Sequence, residues 1–186
     1  MATGGVAKPT SMSYNGDIIY DTGSPRKIYR IQTGQEQNPE TSALELDLAP
    51  NYNNNPMAQI SPDGNWIIYT STESGLRHIY VRPYPEINQG KWQVSIEPGF
   101  SPLWSEAGDE IFYISTARTQ YSVPYTIPLN QDGSRPRLIE FGIPEEIFSR
   151  NALINPRTFA PWDYSAEKES FIFLEAEGGS ESVDSV

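Results

Sequence analysis

His78 is the only histidine of the chain, and there is no cysteine. One imidazole without thiolates cannot make a usual zinc site. A serine hydrolase requires a nucleophile on a G-x-S-x-G elbow, with a base and an orienting acid behind it. The stretch Gly99-Phe100-Ser101-Pro102-Leu103 lacks the second glycine. The sole base open to Ser101 is His78, which lies between Arg77 and Ile79 and reads as an ordinary strand residue. Asp63-Gly64 lacks the D-x-[DN]-x-[DN]-G spacing of a calcium loop, and Asn15 stands at the matching position of an earlier copy, so a hairpin turn accounts for the pair. The carboxylate pairs Glu45/Asp47 and Asp109/Glu110 are of the type used in acid–base work on glycosides. Glu45 and Asp47, however, fall on the outward side of an alternating strand. Gly4-Gly5 and Gly178-Gly179 lie near the ends and form no phosphate-binding loop. No catalytic, cofactor-binding or metal-ligating residue is assigned.

The net charge of −11 sets phosphate backbones against this surface, and the 13 Lys and Arg are scattered, so no nucleic acid is expected as a partner. No apolar run reaches the roughly 18 residues of a membrane span, and membrane insertion is not expected. Met1 to Thr10 has no apolar core of a signal peptide.

The elements that hold these residues are short strands. Aromatics make up 12% of the chain, interrupted by 14 Gly and 16 Pro. Ser61-Pro62-Asp63-Gly64 opens the clearest unit, followed by Asn65 to Ser71, a loop Thr72 to Gly75, and Arg77 to Arg82. Earlier, Ser13-Tyr14-Asn15-Gly16 precedes Asp17 to Tyr20 and Lys27 to Ile31. Later, Ser105-Glu106-Ala107-Gly108 precedes Asp109 to Ile114 and Tyr121 to Ile127. A degraded copy runs from Trp162-Asp163-Tyr164-Ser165 to Ser170 through Leu174, with its turn near Lys168. The turn glycines are 48 and 44 residues apart, and the last interval is lengthened by an insertion. Thr41 to Leu48 puts Leu44, Leu46 and Leu48 on one face and Glu45 and Asp47 on the other, the period of a strand. Lys91 to Ile96 alternates too, and Met57 to Ile60 and Pro102 to Ser105 read as innermost strands.

A period of roughly 40–50 residues with four strands per unit marks propeller blades. The predicted fold is all-β: a partial β-propeller of about three and a half four-stranded antiparallel blades. They lie near residues 11–49, 56–96 and 101–142, with a half blade at 157–175. Residues 1–10 read as a flexible segment and 176–186 as a disordered acidic tail. Asn51 to Pro56 and Pro144 to Arg150 read as long connecting loops.

Ile60-Ser61-Pro62-Asp63-Gly64-Asn65-Trp66-Ile67-Ile68-Tyr69 resembles the blade signature of TolB-like (WD40-like, six-bladed) propellers. Ile79 to Pro85 and Gly90 to Ser95 are similar to propellers fused to bacterial serine/threonine kinase or winged-helix regulator domains. The resemblance implies a non-catalytic scaffold for protein or ligand binding, from a larger bacterial sensor or envelope protein and outside the cytoplasm. It implies no cofactor. An alternative is the substrate-gating propeller of a prolyl oligopeptidase-like hydrolase whose catalytic domain lies elsewhere, and a third is a carbohydrate-active propeller. Open ends call for cover by further blades of a parent protein or by self-association.

Overall fold

The computed structural model describes residues 7–23, 25–34, 42–48, 57–128, 138–149, 162–165 and 167–173. Its regular elements there are fifteen strands and one turn of 3-10 helix at Ile87–Gln89. Blade one pairs β1 (Lys8–Met12), β2 (Asp17–Thr22), β3 (Lys27–Gln32) and β4 (Leu44–Leu46) in that order. Blade two pairs β5 (Gln59–Ile60), β6 (Trp66–Ser71), β7 (His78–Pro83) and β8 (Trp92–Gln93). Blade three runs β9 (Gly99–Trp104), β10 (Glu110–Ser115) and β11 (Thr119–Thr126), then β12 (Glu140–Phe141) and β13 (Glu145–Ser149) side by side on β11. A hairpin of β14 (Trp162–Ser165) and β15 (Ser170–Phe173) follows. All pairings are antiparallel.

The turn between first and second strands has one design. Gly16, Gly64 and Gly108 each donate an N–H to the carbonyl of the serine three residues back, at 2.9–3.0 Å. Their φ angles of 82°, 75° and 74° are left-handed and suit a residue without Cβ. The serines, Ser13, Ser61 and Ser105, are buried, and each hydroxyl accepts a backbone N–H of its own turn. Asp63 completes its turn by accepting the Ser61 hydroxyl at 2.6 Å and the Asn65 N–H at 3.2 Å.

Strands inside a stack of blades must be apolar on both faces. All six residues of β6 are buried. Ile67 and Tyr69 pack towards blade one, with Ile19, Ile28, Leu46 and Leu48. Trp66 and Ile68 pack towards blade three, with Ile111, Tyr113, Val123 and Tyr125. The hairpin closes over Phe100, Phe112 and Ile114 through Trp162, with Tyr164, Phe171 and Phe173 against it. First strands of neighbouring blades meet: Ile60 N–H donates to Ser11 Oγ at 3.0 Å, and Trp104 Nε1 donates to the Gln59 carbonyl at 3.2 Å. Tyr84 carries its hydroxyl from blade two to Asp17 of blade one at 2.8 Å. Asp21, buried in blade one, is paired with Arg26.

Three boundaries differ from the sequence reading. Strand β1 begins at Lys8, inside the stretch 1–10 read as flexible, because Lys8 and Pro9 pair with Asp21 and Tyr20. The loop read at Pro144 to Arg150 is largely strand β13. Its residues complete the outer edge of β11, an eight-residue strand whose other end is taken by β12. Gly142 lies between the two short strands against Pro124, where a Cβ would come within 2.7 Å of the proline ring. Blade three therefore extends to Ser149 rather than ending near 142. The turn of the hairpin carries its left-handed residue at Glu169 (φ 46°), one position after Lys168. The loop at 51–56, the start of the half blade at 157–161 and the tail at 176–186 lie outside the described residues.

Gln120 on β11 sits in register between Ile114 and Phe148, is 2% exposed, and has both ends of its amide unpaired. A buried polar group without partners costs about 1–3 kcal/mol. Gln120→Met is expected to raise stability in chemical denaturation by about 1 kcal/mol, and a loss of stability would contradict the assignment. The tyrosines make a second prediction. Burial pushes the Tyr113 phenol from 10.0 up to about 12, and raises Tyr69, Tyr84 and Tyr125 as well. A phenol with a raised folded-state pKa favours the folded state while protonated. That contribution is complete below pH 10 and is lost as the pH climbs towards 12. Absorbance titration of phenolate is expected to show a late-ionising group of tyrosines whose release coincides with unfolding.

Candidate functional site

The chemistry-bearing residues do not converge. Ser101 Oγ donates to Met57 Sδ at 3.3 Å and is 1% exposed. His78 Nδ1 instead meets Ser95 Oγ at 3.0 Å and the Gln93 amide at 3.3 Å. Ser95 is itself 1% exposed and already accepts the Ile79 N–H, so this serine–histidine pair is a buried strand contact closed to a substrate. Glu45 is held on the surface by Lys27 at 2.8 Å and by the Tyr29 hydroxyl at 3.4 Å. Asp109 accepts the Ser105 hydroxyl within its turn, and Glu110 accepts that of Ser122 at 2.6 Å. Among the described residues no group of three His, Cys, Asp or Glu is placed to hold a metal ion.

A concave site exists elsewhere, at the rim where blades two and three meet. A cavity of about 470 Å³ is lined by Thr72, Gly75, Leu76 and Arg77 from the β6–β7 turn, by Thr116 and Arg118 from the β10–β11 turn, and by Phe100 of β9. This volume lies within the range of roughly 300–1,000 Å³ usual for small-molecule sites. The two blades are tied together beneath it. Gly99 N–H of blade three donates to the Arg77 carbonyl of blade two at 2.8 Å, and within blade three Thr116 N–H donates to the Pro98 carbonyl at 2.9 Å. The Arg77 guanidinium stands over the Phe100 ring, 5.7 Å from its centroid, a cation–π arrangement that holds the charge at the mouth. Leu76 is 60% exposed on the same loop.

Arg118 is the second cation. The turns between second and third strands each carry a left-handed residue among those described: Gly23 (φ 90°) in blade one, Gly75 (φ 91°) in blade two, Arg118 (φ 68°) in blade three. Gly75 and Arg118 close their turns alike, by N–H bonds to the carbonyls of Thr72 and Ser115 at 2.9 and 3.0 Å. For a residue with a Cβ this conformation costs roughly 1–2 kcal/mol. The chain accepts that cost at a turn on the rim that Arg77 also lines, so two arginines border one apolar depression of a protein whose net charge is −11. Sequence reasoning missed the site because its halves lie on different blades. The one local signal was an arginine in a turn where the preceding blades use glycine.

No protein-family model and no curated protein matches the chain. Among solved structures it is similar to TolB from Acinetobacter baumannii, with a TM-score of 0.51 and 14% identity over 73% of this chain and 32% of that one. It is also similar to a protein assigned as TolB from Agrobacterium tumefaciens, with a TM-score of 0.47 and 16% identity over 75% of this chain and 50% of that one. The chain thus spans between a third and a half of these structures. At such identity the likeness is one of fold. With its repeated four-stranded blades and inter-blade cores, the chain has the fold of a TolB-like β-propeller, of which it forms about three and a half blades.

Proposed function

We propose that the chain is a non-catalytic propeller scaffold that binds a protein or small ligand at the rim between blades two and three. The ligand it fits carries a carboxylate on an apolar body. The observation that carries this reading is Arg118, held left-handed in a turn where Gly75 serves blade two, beside Arg77 over Phe100. Arginine pairs with carboxylates through two parallel hydrogen bonds, and Leu76, 60% exposed on the same rim, offers apolar contact to such a ligand. The catalytic candidates raised by the sequence are spent in packing and turn contacts, which favours binding over chemistry. The wider setting follows the sequence resemblance: a section of a larger bacterial sensor or envelope protein, outside the cytoplasm.

Phenylacetate is a suitable minimal probe. In a heteronuclear NMR titration it is expected to shift the amides of Thr72 to Arg77 and Thr116 to Arg118, with a dissociation constant in the millimolar range, about −4 kcal/mol. Arg118→Gly is expected to abolish these shifts while leaving stability equal or up to about 1 kcal/mol higher, since glycine relieves the left-handed strain. Shifts scattered over the surface, or retained in Arg118→Gly, would overturn the proposed site.

A further inference from the structure

The segment that leaves β8 forms an apolar ledge beside the depression between blades two and three. It runs along β7, where Val94 N–H donates to the Ile79 carbonyl at 2.9 Å and Ser95 Oγ accepts the Ile79 N–H at 3.0 Å. Farther on it is tied to two residues that line the cavity. Gly99 N–H reaches the Arg77 carbonyl, and the Pro98 carbonyl accepts the Thr116 N–H. Between these ties Ile96 is 69% exposed, and Leu76, next to Arg77 on the β6–β7 turn, is 60% exposed. Two large aliphatic side chains thus stand in water on backbone that is hydrogen-bonded to the walls of the cavity.

We propose that this site takes the C-terminus of a partner polypeptide, its last residue apolar, with the α-carboxylate at Arg77 and Arg118 and the preceding residue over Ile96. The inference rests on the reading of the cavity as a site for a carboxylate on an apolar body, and it names the source of that carboxylate. In a polypeptide the last residue alone carries a carboxylate and an apolar side chain on one carbon, so both enter a single depression. An internal Asp or Glu brings a carboxylate without the apolar body, and backbone on both sides of it that requires hydrogen-bond partners. The cavity of about 470 Å³ lies between two turns on the rim, so a bound terminal residue leaves the chain before it leading outward, past the ledge. Thr72 and Thr116, one from each turn, line it with hydroxyls that both donate and accept, as the last peptide group requires. Capture of a terminal carboxylate is a recurring mode of peptide recognition, and two arginines supply it here in a chain whose net charge is −11.

The test is a heteronuclear NMR titration of the full chain with acetyl-Gly-Leu-Phe, with its C-terminal amide, and with phenylacetate. The free-acid peptide is expected to shift the amides of Thr72 to Arg77 and Thr116 to Arg118, as phenylacetate does, and those of Ile96 and Glu97 in addition. Its affinity is expected to exceed that of phenylacetate by about fivefold through the added apolar contact. The amide is expected to bind about tenfold more weakly than the acid, having lost the charge-assisted bonds. Ile96→Ser is expected to remove the fivefold gain and to leave phenylacetate binding unchanged, since so exposed a side chain is no part of the core. A free-acid peptide no tighter than phenylacetate, or a gain that survives Ile96→Ser, would overturn the assignment to a C-terminus and leave the cavity as a site for small acids. Equal binding of acid and amide would overturn it too. If none of the three ligands shifts these amides, the reading of the cavity itself fails, and this inference with it.

Discussion

Burial of the central strands on both faces is the constraint from which the remaining features follow. A strand has a period of two, so β6 sends Ile67 and Tyr69 to one neighbour and Trp66 and Ile68 to the other, and solvent receives none of them. A slip of one residue would exchange the two sets and bring each against the wrong surface, so register is fixed by both cores at once. A single blade cannot bury two such faces, and stability resides in the contacts between blades. The stacked tyrosines fit this role. Their rings are broad enough to fill the space between sheets, and neighbouring side chains leave the phenols hard to ionise.

The same constraint decides where chemistry can sit. Polar residues in the central strands are drawn into packing: His78 and Ser95 bond one another below the surface, and Ser101 lies against a methionine sulfur. Polar side chains that reach the surface are concentrated at the turns, which the strands hold rigidly. Where two turns from adjacent blades come together, residues far apart in sequence share one surface. Arg77 and Arg118 meet around Phe100 in this way, and neither residue had a motif around it.

Legibility in the sequence follows how local each determinant is. The serine-to-glycine turns at Gly16, Gly64 and Gly108 were readable because a left-handed residue and a hydrogen-bonding serine are needed within four positions. The alternation of Leu44, Leu46 and Leu48 was readable for the same reason, but only in part: Leu46 and Leu48 are buried, whereas Leu44 is 55% exposed and the strand spans only Leu44–Leu46. Strand β1 was not, since Lys8 and Pro9 have little strand character of their own and are recruited by β2, with a bulge after Pro9. Strand β13 was not, because its existence depends on the length of β11 and on the unpaired edge left beyond β12. The site was the least readable feature, being a product of how blades two and three are set side by side.

A likeness in fold at 14% identity is what this architecture allows. The turns require glycine and serine at a few positions, and the cores require apolar volume in alternation, which many side chains supply. Residues that maintain the repeat therefore say little about function, and fold alone does not specify it. The informative positions are those where one blade departs from its siblings without a structural need. Arg118 stands at a strained turn that glycine would serve at lower cost. The polar outward side of the hairpin has the composition of a surface facing water. The Arg118 turn lies on a rim, where the packing constraint is relaxed and selection for a partner is free to act.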